Sequence, residues 1–477
     1  MSEHIPLGGS IVSFLRERRQ WLAGADLRSL IPGILRLNKA SIHTALSELE
    51  QAERELEHVR SAGSSSPGLE LGYLYHACNL YYQFSLWEKM DPVRERLLSL
   101  ARQVDFRPDI ARGLHFTGLE TINSGDYRQA VGYFMQALDI EQDLTDAALL
   151  GEIYNDIGFC YRRIGDTAKA EEHYLASLMI REQSGNLLGQ AESLSNLGFL
   201  KIFQGQPRQA EALLAKAYQL ETQIGDRLGA GYTLVNLGYL AYQRGEFTKS
   251  RDYHQRALDI RIKLNDPLGQ GHCYLQLRAL SDVDDDSASE LRLLNAAYQA
   301  FVRANDTTGR IETVISFAEY WIELGKVDVA EKIRRHLSPR LRDLSVKEIQ
   351  RRYLGLQISL ALQDKDRDTM ERYWDTFIQL VPDFESTTTG LLQAAAIAEN
   401  LGRMELAIKH WRSIRSLASQ QSLPFDGAKA LWHLGQHDDR QGRAMAEQAL
   451  NEFRRMGAKR LARKAACYLA TLDQGEL

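Results

Sequence analysis

The sequence has few of the residues that cross-link or anchor a chain. Only four cysteines occur (Cys78, Cys160, Cys273 and Cys467), far apart. They do not read as a disulfide framework, and a reducing cytoplasm is the expected home. No apolar run reaches the ~18 residues that mark a membrane-spanning helix. Met1 to Gly9 lacks the basic and apolar regions of a signal peptide. Neither charge sign dominates: the net charge of −5 gives no general pull toward nucleic acid or anionic membrane. Gly-x-x-x-x-Gly-Lys-Ser/Thr and Gly-x-Ser-x-Gly are both missing. A phosphate loop and a serine-nucleophile elbow are therefore not expected, and neither catalysis nor a cofactor is expected.

The 35 glycines, by contrast, are placed in phase. Gly125, Gly165, Gly205 and Gly245 stand 40 residues apart, each at a turn, and Gly325 resumes the series. Asp284-Asp285-Asp286 fills the gap, Gln363-Asp364-Lys365-Asp366 is a degenerate turn, and Gly402 and Gly442 follow. Gly118, Gly158, Gly198 and Gly238 keep the same step, as do Ala130, Ala170, Ala210 and Ser250. Ala137, Ser177, Ala217, Ala257 and Ala297 form a third series. A second set of turns, Gly185-Asn186, Gly225-Asp226, Asn265-Asp266 and Asn305-Asp306, lies between the first.

Each unit therefore holds two helices and two turns. Between turns the apolar residues recur at three and four, as in Ile153, Ile157, Cys160 and Tyr161, which is the helical period. Small residues at fixed places let two backbones approach. One hairpin cannot bury its apolar face alone, so neighbours must stack.

These residues resemble the tetratricopeptide repeat. The pattern is carried by Tyr154, Ile157-Gly158, Tyr161, Ala170, Tyr174 and Ser177. It returns in Leu194, Leu197-Gly198, Ala210, Leu214 and Ala217, where Lys201 departs from the usual tyrosine, and in Leu234, Leu237-Gly238, Ser250, His254 and Ala257. The long step is similar to that of kinesin light chains, Leu-Gly-Asn-repeat adaptors and bacterial regulators. The resemblance implies an all-α fold, a right-handed superhelical solenoid of about 10–11 antiparallel hairpins.

The expected organisation is an N-terminal helical cap or docking segment at 1–40, then divergent hairpins at 41–110. A well-formed array follows at 111–335, degenerate repeats at 336–385, and C-terminal repeats with a cap at 386–477. In this family the first helix of each pair lines the concave face. The resemblance then places Asn196 and Asn236, with Asp156 in the same phase, at the position where an amide hydrogen-bonds a bound peptide backbone, because an amide both donates and accepts. Phe159, Phe199 and Tyr239, with Arg162, Arg163, Phe203, Tyr242 and Gln243, complete a groove of aromatics, amides and arginines. The other reading is that the aromatics pack between repeats and the amides cap them. The positions of the family's carboxylate clamp hold Glu152, Glu192, Ser195 and Val235, so a chaperone-tail clamp is not expected.

His433 and His437 share a helix face but lack a third ligand at metal-site spacing, so no metal is expected. Two basic stretches, Lys332 to Arg352 and Arg454 to Lys464, read as solvated faces or docking sites for an acidic partner rather than as nucleic-acid surfaces. The expected function is a non-catalytic scaffold or adaptor that binds a protein or peptide. The alternative is a peptide- or partner-switched regulator, whether a sensor or a subunit controlling an enzyme or transcription.

Overall fold

The computed structural model describes residues 49–61, 67–83, 86–144, 146–338, 347–363, 367–380, 388–438 and 441–474. The segment 1–40, expected as a cap or docking segment, and the turn residues 364–366 lie outside them. Among the described residues every regular element is a helix. The chain forms two compact units, Met1–Asn186 and Leu187–Leu477, and the division falls inside the expected 111–335 array.

The first unit contains α1 (Leu49–Ser61), α2 (Pro67–Gln83), α3 (Trp87–Gln103), α4 (Arg107–Asn123), α5 (Tyr127–Leu144), α6 (Ala147–Ile164) and α7 (Thr167–Gln183). The second begins with α8 (Leu187–Phe203), α9 (Pro207–Ile224), α10 (Arg227–Gln243), α11 (Phe247–Lys263), α12 (Pro267–Asp284), α13 (Ser287–Arg303), α14 (Thr307–Glu323) and α15 (Val327–Leu337). It continues with α16 (Lys347–Gln363), α17 (Arg367–Leu380), α18 (Thr388–Asn400), α19 (Met404–Gln420), α20 (Pro424–Gln436), α21 (Gly442–Met456) and α22 (Lys459–Gln474). Helices α2 to α21 run as successive pairs, first helix then second.

The turns explain the strict period. A helix must satisfy its last carbonyls, and a left-handed residue does so by reversing the chain. Gly165 takes φ +100, and the N–H of Asp166 returns to the carbonyl of Tyr161 at 2.9 Å. The Asp166 carboxylate then accepts from the Lys169 N–H and so caps α7. One residue closes a helix and the next opens another, so there is no slack in length. Where glycine is missing, Asn265, Asn305 and Asp285 take the left-handed conformation instead.

The small residues inside the helices have a different task. A side chain on Gly158 would sit 2.7 Å from Tyr174, and one on Gly238 would sit 2.5 Å from the His254 ring. Each first-helix glycine is thus the socket for a large side chain of the second helix. Tyr174 and Leu214 are fully buried in these sockets. Such a residue contributes on the order of 2 kcal/mol by leaving water.

In the second unit the C-terminal hairpins fold back onto the middle repeats. Phe425 of α20 packs edge-on against Tyr242 of α10 and Phe247 of α11, with ring centres 5.8 and 5.0 Å away. Leu234, Leu258, Leu277, Leu431, Phe453 and Leu469 share this one core. Four turns that close a first helix each meet the C-terminal block. Gln421 lies against Gly205 and Met456 against Gly245. Arg463 bonds Asp285 at 3.0 Å and Arg460 bonds Glu323 at 2.8 Å.

Candidate functional site

The expected groove residues divide between the units, and each set is best seen by itself. In the first unit α6 carries Asp156, Phe159, Arg162 and Arg163. Asp156 accepts from Nε2 of His115, on α4, at 2.7 Å. His115 is buried. Burial pushes its pKa down, but the hydrogen bond and charge of Asp156, helped by Glu152, outweigh this and hold it above 6.5. Phe159 lies edge-on to Tyr127, and the Arg162 guanidinium sits 5.0 Å from its ring centre. Arg163 stacks on Tyr127 at 5.1 Å and donates to its hydroxyl at 3.1 Å. Asp156 is therefore tied to His115, while Phe159, Arg162 and Arg163 are tied together around Tyr127.

In the second unit α8 carries Asn196, Phe199 and Phe203, and α10 carries Asn236, Tyr239, Tyr242 and Gln243. Three of them make one aromatic cluster. Phe199 and Phe203 are 4.9 Å apart, and Tyr239 lies 6.3 and 6.4 Å from them. Phe203 is nevertheless 46% exposed, which leaves apolar surface in water. Gln243 donates to the Tyr239 hydroxyl at 2.9 Å and fixes that ring. Asn236 donates through Nδ2 to Ser195 Oγ at 3.3 Å. Asn196 is half-buried and is engaged by other groups of the chain. Tyr242 departs from the cluster, because its ring is taken by Phe247 and Phe425.

Sequence reasoning did not find His115 or Phe425, and it placed Ser195 only at a clamp position, not as the partner of Asn236. His115 is one repeat before Asn155, next to the groove position, so the 40-residue phase carried a faint signal. Phe425 carried none, since nothing in a local pattern pairs it with Tyr242.

The other candidates are now placed. His433 and His437 both reach Oε1 of Glu399, at 3.2 and 3.0 Å, and Trp411 donates to the same oxygen at 2.7 Å. Among the described residues no group of three or more His, Cys, Asp or Glu is arranged to hold a metal. In the basic stretches Arg334 and Arg335 pair with Glu331, and Arg352 pairs with Glu312 and Glu319. Arg340 and Arg342 lie outside the described residues. The acidic partner of Arg460 and Arg463 is the chain itself. Among the described residues no helix is long and apolar enough to cross a membrane. A cavity of about 530 Å³ lies beside α19, bordered by Arg412, Arg415, Leu434, His437 and Met445.

The family model of the tetratricopeptide repeat matches residues 122–183, 147–223 and 189–263, where the hairpins, the glycine sockets and the doubly capped turns recur. No curated protein matches the sequence. Among solved structures, a Rap protein complexed with Competence and Sporulation Factor is similar, at 12% identity and a TM-score of 0.54, covering 81% of this chain and 99% of that one. NprR in complex with its cognate peptide NprX is similar at 13% identity and a TM-score of 0.50, covering 79% and 100%. BtubC from P. vanneervenii shows 22% identity over 46% of this chain and 92% of its own, with a TM-score of 0.39. At these identities the likeness concerns the fold.

Proposed function

We propose that this chain is a non-catalytic binding protein that holds an extended peptide or partner segment on the first-helix face of α8 and α10. The observation that supports this most is the Phe199–Phe203–Tyr239 cluster, whose Phe203 ring is exposed, with Asn236 one helical turn before Tyr239 on α10. Aromatic anchors supply binding energy, and an amide beside them pairs with a ligand backbone. NprR, of similar fold, was solved with a peptide, which fits a ligand of this kind. The first-unit residues Asp156, Phe159, Arg162 and Arg163 are a separate candidate patch, since Asp156 is engaged by His115 and Phe159 by Arg162. The finer role, scaffold or peptide-switched regulator, depends on whether ligand binding alters a second partner.

The test starts with partners recovered from the native host, followed by titration with the purified partner. Phe203→Ala combined with Asn236→Ala is expected to weaken affinity at least tenfold while helicity and melting temperature stay nearly unchanged. Equal affinity for wild type and the double variant would sink the proposal. A peptide ligand should also raise the melting temperature in proportion to its saturation.

A further inference from the structure

Beneath the aromatic cluster runs a chain of buried polar groups. Asn236 Nδ2 lies 3.3 Å from Ser195 Oγ. Ser195 Oγ lies 3.0 Å from the Thr233 hydroxyl, which lies 2.8 Å from Oε1 of Glu221. Thr233 is fully buried, Glu221 is 2% exposed and Ser195 is 7% exposed. The chain joins three helices: Ser195 is on α8, Glu221 on α9, and Thr233 and Asn236 on α10. Only its far end, the Asn236 amide, reaches the groove face.

We infer that Glu221 is a positioning residue that sets, through Thr233 and Ser195, which end of the Asn236 amide faces the groove. The argument is one of proton counting. Each hydroxyl has one proton and donates once. A charged Glu221 only accepts, so Thr233 must donate to it. Ser195 then donates to Thr233 and accepts from Asn236 Nδ2. The Asn236 oxygen is left facing outward, an acceptor for a ligand N–H. A protonated Glu221 donates to Thr233 instead, and the whole chain reverses. Ser195 now donates to Asn236, whose oxygen turns inward and whose NH2 turns outward, ready for a ligand carbonyl. An amide turns in this way without changing its shape.

The surroundings allow both forms. Burial lifts the Glu221 pKa to about 7, the Thr233 hydrogen bond opposes this, and the charge of Asp226 adds to it. Asp226, in the α9–α10 turn, is the charged group facing Glu221, and its Oδ1 is held by the Gly229 N–H at 3.0 Å. From α8 and α10 the facing groups are the Ser195 and Thr233 hydroxyls. The second oxygen of Glu221, Oε2, is buried with no hydrogen-bond partner, which suits a carboxyl that spends part of its time neutral. The consequence for recognition rests on the groove proposed above. The relay itself does not.

The test uses the full chain without ligand, with asparagine side chains labelled by 15N and glutamate carboxyls by 13C. In the wild type the Asn236 NH2 signals should shift between about pH 5 and 9 with the same midpoint as the Glu221 carboxyl. In Glu221→Gln they should be static. In Thr233→Val the Glu221 carboxyl should still titrate while Asn236 no longer follows. An Asn236 signal that stays fixed while Glu221 titrates overturns the relay, as does an unchanged shift in either variant. Loss of partner binding plays no part in these readouts, so a failed groove and a failed relay are told apart.

Discussion

Asp156 in the first unit and Asn236 in the second occupy the same place in the repeat, yet they do different work. Asp156 is spent on His115 of the preceding first helix, at 2.7 Å. Asn236 donates through its NH2 end to Ser195, and in the proposed groove its oxygen is left for a ligand. The aromatic positions differ in the same sense. Phe159 is covered by Arg162, whereas Phe199, Phe203 and Tyr239 form a cluster in which Phe203 stays exposed. Repeat phase sets where a side chain points. The residue one repeat away decides whether it remains available.

The largest expected effect tests the frame that holds the second-unit face. Phe425→Ala should cost about 3–4 kcal/mol by emptying the contact with Tyr242, Phe247 and Phe453. Hydrogen exchange should show lost protection over 424–474, with 107–183 unaffected. Uniform loss across both units would show that the fold-back is not a local element.

The next effect is one of pH. The folded pKa of Glu221, about 7, lies above the ordinary 4.5. A group raised in this way binds more protons folded than unfolded, so its contribution to stability is full below about pH 4.5 and is lost as pH rises through about 7. Denaturant melts should show Glu221→Gln gaining on the wild type across that window, by no more than about 3 kcal/mol. A constant difference between the two proteins would contradict the shift.

His115→Ala should cost about 2 kcal/mol, because Asp156 loses its partner and a buried ring is removed. His115 is also raised, so the cost should be greatest in acid and should shrink as pH climbs above 6.5. Urea melts at two pH values measure it, and partner affinity should stay unchanged. Asn236→Ala is the mirror case and the smallest in stability, below about 0.5 kcal/mol. Its effect should appear in affinity, measured by titration. A reversal of these two outcomes would place the binding face in the first unit.

Much of the fold was legible because its rules are local. Gly158 opposite Tyr174 is a contact within one hairpin, and Gly165 followed by Asp166 is a turn within one connection. Such features repeat with the chain and can be read along it. The candidate groove was legible only as a set of positions. Tyr242 stood beside Gln243, one repeat after Ile202 and Phe203, but its ring belongs to the core it shares with Phe425. The basic run at Arg460 and Arg463 read as a solvated face or a docking site for an acidic partner, and Glu323 and Asp285 of the same chain pair with it.

By itself the sequence determined the all-helical repeat, its 40-residue step and the face on which the amides and aromatics lie. Left-handed turn residues, caps and glycine sockets act over a few residues or one hairpin, so each is written where it acts. Only the tertiary structure decided that α19 to α22 cover the turns at Gly205, Gly245, Asp285 and Glu323. It also decided that Glu221 reaches Asn236 through two hydroxyls. Those contacts depend on how curvature accumulates over many repeats and on which protons are shared across helices. No local pattern encodes either.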